Sequence, residues 1–181
     1  MKRLCAPLTE QDVRQLKAGD EVTINGTVYT ARDMAHKRLV AALDRGQELP
    51  LELDGALIYF VGPTPARAGM AVGAAGPTTS SRMDPFSPQL IAHGLRATMG
   101  KGYRSEAVRQ ALREHGAVHL STIGGAGALL SKHIVSAEVV AYGDLGTEAI
   151  RRLELVDFPA VVAYDAAGGS VYDMTGDKSG A

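Results

Sequence analysis

The chain has 181 residues, 45% hydrophobic and 22% charged, which suits a globular domain with a substantial core. Formal net charge is -1 with no long run of either sign, which excludes bulk electrostatic binding to nucleic acid or a membrane surface. The single cysteine, Cys5, can form no internal disulfide and cannot hold an iron–sulfur cluster, which needs several thiolates. The amino-terminal MKRLCAPLTEQD turns polar too early for a signal peptide, and no apolar run reaches membrane-spanning length. A cytoplasmic protein is therefore expected. With no tryptophan and three phenylalanines, the core must be built from Val, Leu, Ile, Ala and Met.

In chain order, Thr9 with Glu10 and Asp12 reads as a capped helix start, stopped near Gly19. EVTINGTVYTA reads as a hairpin, because Asn25-Gly26 is the pair favoured in a type I′ turn. ARDMAHKRLVAALDRG follows at helical spacing, with Leu39, Val40 and Leu43 apolar and Gly46 closing it. ALIYFVG, residues 56–62, is a continuous apolar run expected to be a strand buried on both faces. SPQLIAHG is a short helix, LRATMGKG a strand running into a loop, and SEAVRQALREHG the clearest helix, capped by Ser105 and ended by Gly116. AVHLST is a strand leading into glycine-rich IGGAGALL; IVSAEVVAYG, a Thr147-capped helix TEAIRRLEL and the strand AVVAYD complete the core. The end of the chain reads as a turn, a short strand and a flexible tail over 174–181. The expected whole is one mixed α/β domain over 1–181, with no repeat or linker and a sheet not purely parallel.

The histidines suggest no metal site. His115 and His119 are four apart, but Gly116 separates a helix from a strand, so one helical face cannot carry both. His36 and His93 read as surface or packing residues, and His133 has no evident partner. IGGAGALLSK lacks the GK[ST] ending of a P-loop and suits a strand-to-helix turn, although its N–H groups could meet an anion. Ser80 and Ser81 lie outside a nucleophile elbow, which argues against serine-hydrolase chemistry.

GPTTSSRMDPF, residues 76–86, is the most informative stretch: four hydroxyls and an arginine fork between prolines. Alone it suits a capped turn with a surface arginine. Two other segments shift the balance toward an anion site. TARDMAHKR sets Arg32 and His36 four apart at a helix start, where the dipole favours an anion, and MGKGY sets Lys101 between two glycines.

In this order and spacing, TVYTARDMAHKRL, IYFVGPTPARAGMAVGAAGPTTSSRMDPF and MGKGY resemble the β subunit of class I, iron–sulfur fumarase and L(+)-tartrate dehydratase, from about Pro7 to Asp173. The resemblance implies a three-layer β/β/α swivelling domain with a mixed sheet. It also implies reversible elimination of water from a 2-hydroxy dicarboxylate, malate/fumarate ahead of tartrate. The four-iron four-sulfur cluster would be held by a partner α subunit and not by this chain, in an αβ heterodimer assembling into a heterotetramer. Residue by residue, it makes Arg32 and Arg82 carboxylate ligands, Thr79 a hydrogen-bonding contact, Lys101 a substrate contact at the chemistry, and Thr78 either the base for the C3 proton or a ligand only. The metal ligands would all be the partner's. One position departs from the family pattern: Ser81 stands where glycine is common, and a positive φ there would strain serine. That departure and the missing cysteines also motivate a rival reading, a non-catalytic anion-binding or regulatory domain. A phosphate-binding enzyme using IGGAGALLSK is a third.

Overall fold

The computed structural model describes residues 1–123 and 127–174. Seven strands form one mixed sheet: β1 (Lys2–Ala6), β2 (Glu21–Thr30), β3 (Leu57–Tyr59), β4 (Ala97–Gly100), β5 (Val118–Thr122), β6 (Ile134–Ala141) and β7 (Ile150–Tyr164). Between them lie α1 (Glu10–Arg14), α2 (Asp33–Asp44), α3 (Ser87–Ala92), α4 (Glu106–His115) and α5 (Gly127–Leu130), and α6 (Val171–Met174) follows β7. Strands β1 to β5 run parallel in spatial order, while β7 is antiparallel to β2, β5 and β6. Because β7 pairs with both β5 and β2, strands β2, β3, β4, β5 and β7 close on themselves.

Two cores follow from this closure. Leu57, Tyr59 and Val61 join Met99, Val118, Leu120, Leu153, Leu155 and Phe158 inside the closed sheet. Ile58 and Phe60 point the other way, onto Leu39 of α2, Leu90 and Ile91 of α3, and Val108 and Leu112 of α4. The alternation along residues 57–61 is what a strand buried on both faces requires. Helices, parallel strands and the antiparallel β2/β7 layer give three layers, consistent with an α/β swivelling domain. No helix among the described residues is long and apolar enough to cross a membrane.

Local signals explain most elements. Thr9 and Asp12 form a reciprocal capping box at α1, and Ser105 Oγ accepts from Val108 N at the start of α4, which ends at Gly116 in the left-handed conformation. Three expectations fail. The Asn25-Gly26 hairpin is instead one continuous strand, β2. Gly26 does have positive φ, 90°, but at a bulge in the β2–β7 ladder, where a Cβ would collide with the backbone carbonyl of Ala6 on β1. TEAIRRLEL is not a helix but a 3₁₀ segment running into β7. Ile150 and Leu153 are three apart, as on a helix, yet in a strand that spacing points them to opposite faces, and each face has its own core. The short carboxy-terminal strand is replaced by one bridge, Tyr164 to Ser170, and α6. The amino-terminal β1 went unanticipated. The centre of IGGAGALL and the tail beyond residue 174 lie outside the described residues.

Candidate functional site

Parallel strands bring their following loops to one end of the sheet, where ligands bind in open α/β folds. Arg32 follows β2, the 61–79 loop follows β3, and Lys101 follows β4. All three cationic segments are therefore neighbours, although they are up to 69 positions apart in the chain.

Arg32 is the N-cap residue of α2, so its side chain leaves from the positive end of a 12-residue helix. It runs against Gly62 just after β3, where an added Cβ would lie 3.1 Å from both Cδ and Nη1. Its Nε is buried with no hydrogen-bond partner among the described residues. The next residue, Asp33, receives Arg82 Nε at 2.9 Å and Nη2 at 2.7 Å, joining α2 to the hydroxyl-rich loop. His36 is fully buried, with Nδ1 2.9 Å from the Arg32 carbonyl and its ring edge-on to Phe60. Burial pushes its pKa down to about 4, so at neutral pH it is an uncharged packing group.

The loop is held by main-chain bonds. Thr78 N donates to the Phe60 carbonyl at 2.7 Å, and Ser80 N donates to the Lys101 carbonyl at 2.8 Å; Thr79 and Lys101 form a parallel bridge. Gly100 permits this approach, since a Cβ there would collide with Ser80 Oγ and crowd the Phe60 ring and the Thr78 carbonyl. Thr78 is half-buried, whereas Thr79, Arg82 and Lys101 are exposed. Ser81 lies in a 3₁₀ turn, Ser80–Met83, and is not among the non-glycine residues with positive φ, which among the described residues are Tyr142 and Asp157. Serine is unstrained there, which removes the geometric motive for reading the loop as defective.

One residue escaped the sequence reading. Arg104, three positions after Lys101, is 3% exposed. Its Nε donates to Asp84 Oδ1 at 2.7 Å, Nη2 to Ser87 Oγ at 2.6 Å, and Nη1 to Thr98 Oγ1 at 3.0 Å. Nη1 also lies 3.2 Å from His119 Nδ1, which must accept because arginine only donates. His119, fully buried beside that cation, is held neutral: burial and then Arg104 push its pKa well below the usual value. Asp84 Oδ2 accepts from Ser105 N at 2.9 Å. Asp33 and Asp84 both orient arginines: Asp33 serves Arg82, and Asp84 serves Arg104 and not Arg82. An arginine just past a glycine-flanked lysine was the available signal, and it gave no sign of burial.

A family profile described as Fumarase C-terminus matches residues 2–175. The chain belongs to the Fumarase C-terminus family. It is 41% identical over 175 residues to a putative class I fumarate hydratase of Geobacillus stearothermophilus, covering 94% of this chain and 33% of that protein. It is 38% identical to the aerobic class I fumarate hydratase of Escherichia coli K12, covering 96% of this chain and 31% of that protein. A putative L(+)-tartrate dehydratase subunit beta of Methanocaldococcus jannaschii is 36% identical, with 94% of this chain and 91% of that protein covered. The chain thus spans about a third of the fumarate hydratases and nearly all of the tartrate dehydratase β-type chain. An iron–sulfur cluster needs several thiolate donors. Here the only thiol is Cys5, exposed on the edge strand β1, so this chain's residues do not fit a cluster.

Proposed function

We propose that this chain is the β-type subunit of a hydro-lyase that reversibly removes water from a 2-hydroxy dicarboxylate, with malate/fumarate ahead of tartrate. Relatives named as fumarate hydratases and a tartrate dehydratase β subunit support the reaction class. The observation that carries the reading is the convergence of Arg32, Arg82 and Lys101 around a hydroxyl-bearing loop at the carboxyl ends of β2, β3 and β4. A dianion leaving water needs both charges met, and three cations beside one helix N-terminus meet them with charge to spare. Arg32 and Arg82 take the carboxylates, and Thr79 donates a hydrogen bond.

In the elimination direction the C3 proton leaves and negative charge builds on the neighbouring carboxylate, where Lys101 and the arginines stabilise it. Thr78 is the candidate proton acceptor on this chain. An alcohol is a weak base, and the nearby cations lower the cost of its deprotonated form. The cluster, a Lewis acid for the leaving hydroxyl when bound, belongs in this proposal to an α-type partner, in an αβ pair assembling into a heterotetramer.

The test is anaerobic co-expression with a cluster-bearing α-type chain, followed by assay of malate–fumarate and tartrate turnover. The pair should be active and this chain alone inactive. Arg82→Ala should lower kcat/KM at least about 100-fold, the cost of about 3 kcal/mol of lost charge-assisted contact; unchanged activity would remove Arg82 from the site. Thr78→Ser should keep most of the rate and Thr78→Val should lose it.

A further inference from the structure

A buried ion pair stands behind the candidate site, joining the two segments that carry its cations. Asp84 lies two residues past Arg82 and Arg104 three residues past Lys101. Arg104 has no side-chain exposure and Asp84 16%. Withdrawing such a pair from water costs as much as its attraction returns, and apolar side chains of equal volume often stabilise a fold as well. The pair's visible effect is geometric. Main-chain pairing of Thr79 and Ser80 with Lys101 ties the two segments once; the Asp84–Arg104 pair, with Asp84 also on Ser105 N, ties them a second time. One tie leaves a hinge, whereas two fix both separation and angle. Arg82 projects from between the ties and Lys101 stands at the first. The guanidinium is itself fixed on three further elements, through Ser87 of α3, Thr98 of β4 and His119 of β5, and lies 5.2 Å over the Phe60 ring.

We propose that Arg104, acting through Asp84, is a positioning residue that fixes the separation of Arg82 and Lys101. It thereby selects the length of the dianion, favouring a four-carbon over a five-carbon dicarboxylate. The inference rests on reading Arg82 and Lys101 as carboxylate ligands. Loosening the second tie widens the range of separations, so discrimination falls before binding is lost.

The experiment uses the assembled enzyme and two unreactive probes, succinate and glutarate, titrated calorimetrically alongside turnover of four- and five-carbon 2-hydroxy diacids. The readout is the ratio of affinities, and of kcat/KM, measured on one sample. A ratio does not depend on how much of the sample is folded, so a merely structural role would not move it. Arg104→Lys, which keeps charge but loses the fork, should reduce the four-to-five-carbon preference about tenfold, and Asp84→Asn should do the same. Ser87→Ala removes one hydrogen bond, leaves the ion pair and guards against a variant that fails to fold; its ratio should shift less, in the same direction. If melting temperatures fall while the ratio stays at the parent value in Arg104→Lys and Ser87→Ala, the proposal is overturned. Parent enzyme that prefers succinate but turns over no diacid would defeat the hydro-lyase reading and leave this inference standing. Parent enzyme with no preference for succinate would overturn the inference alone.

Discussion

At the residue scale, the contact between Asp33 and Arg82 separates stability from function. Arg82 is 50% exposed and Asp33 31%, and ion pairs that wet contribute under about 1 kcal/mol. Its value lies in aim, because two donors on one carboxylate oxygen fix the plane of the fork. Asp33→Asn should change the urea midpoint little while raising KM for the dicarboxylate several-fold. A large midpoint loss with unchanged KM would assign Asp33 to the fold instead. The sequence singled out Arg32, Thr78, Thr79, Arg82 and Lys101 as candidates, and the fold brings the segments that carry them to one end of the sheet. Arg104 was not legible, because nothing local distinguishes a buried guanidinium from a surface one. Its burial depends on Asp84, Ser87, Thr98 and His119 arriving from four different segments.

At the element scale, the errors share a cause. Asn25-Gly26 correctly signalled unusual backbone, since Gly26 sits at φ 90°. A turn and a bulge ask the same thing of glycine, and only the arrival of β7 and β1 on either side decides between them. Likewise, Ile150 and Leu153 imitate a helix because β7 has a core on each face. Elements whose identity is local, α1 with its capping box and α4 with Ser105 and Gly116, were readable from their ends. The bulge yields a sharp prediction. Gly26→Ala forces a Cβ toward the Ala6 carbonyl at positive φ, so it should cost more than about 2 kcal/mol. Hydrogen exchange should show β1 amides losing protection first. Unchanged exchange across residues 2–6 would mean that β1 tolerates the intrusion.

At the scale of the whole molecule, two fully buried neutral histidines tie stability to pH. His36 has its pKa pushed down to about 4, and His119 is lowered as well. Unfolded histidine takes up its proton near pH 6.5, so acid favours the unfolded chain first. The stability His36 confers is complete above about pH 6.5 and is lost as pH falls toward 4, at up to about 1.4 kcal/mol per pH unit, and His119 acts in the same direction. Urea midpoints at pH 7.5, 6.5 and 5.5 should therefore fall across the last interval, and ring signals of both residues should stay neutral in NMR spectra at pH 5.5. A flat profile, or a ring titrating near 6.5, would contradict the burial.

The bond from Ser80 N to the Lys101 carbonyl uses no side-chain atom, and neither does the one from Thr78 N to Phe60. At these two points the frame of the loop is independent of its exposed side chains, while Asp84 and the buried Ser80 and Met83 are bound into it. Ser81, exposed and free of backbone strain, can be exchanged for glycine or a larger group without disturbing the frame. A lineage carrying this loop can therefore try new specificities by point substitution, one displayed group at a time, while its architecture stays fixed.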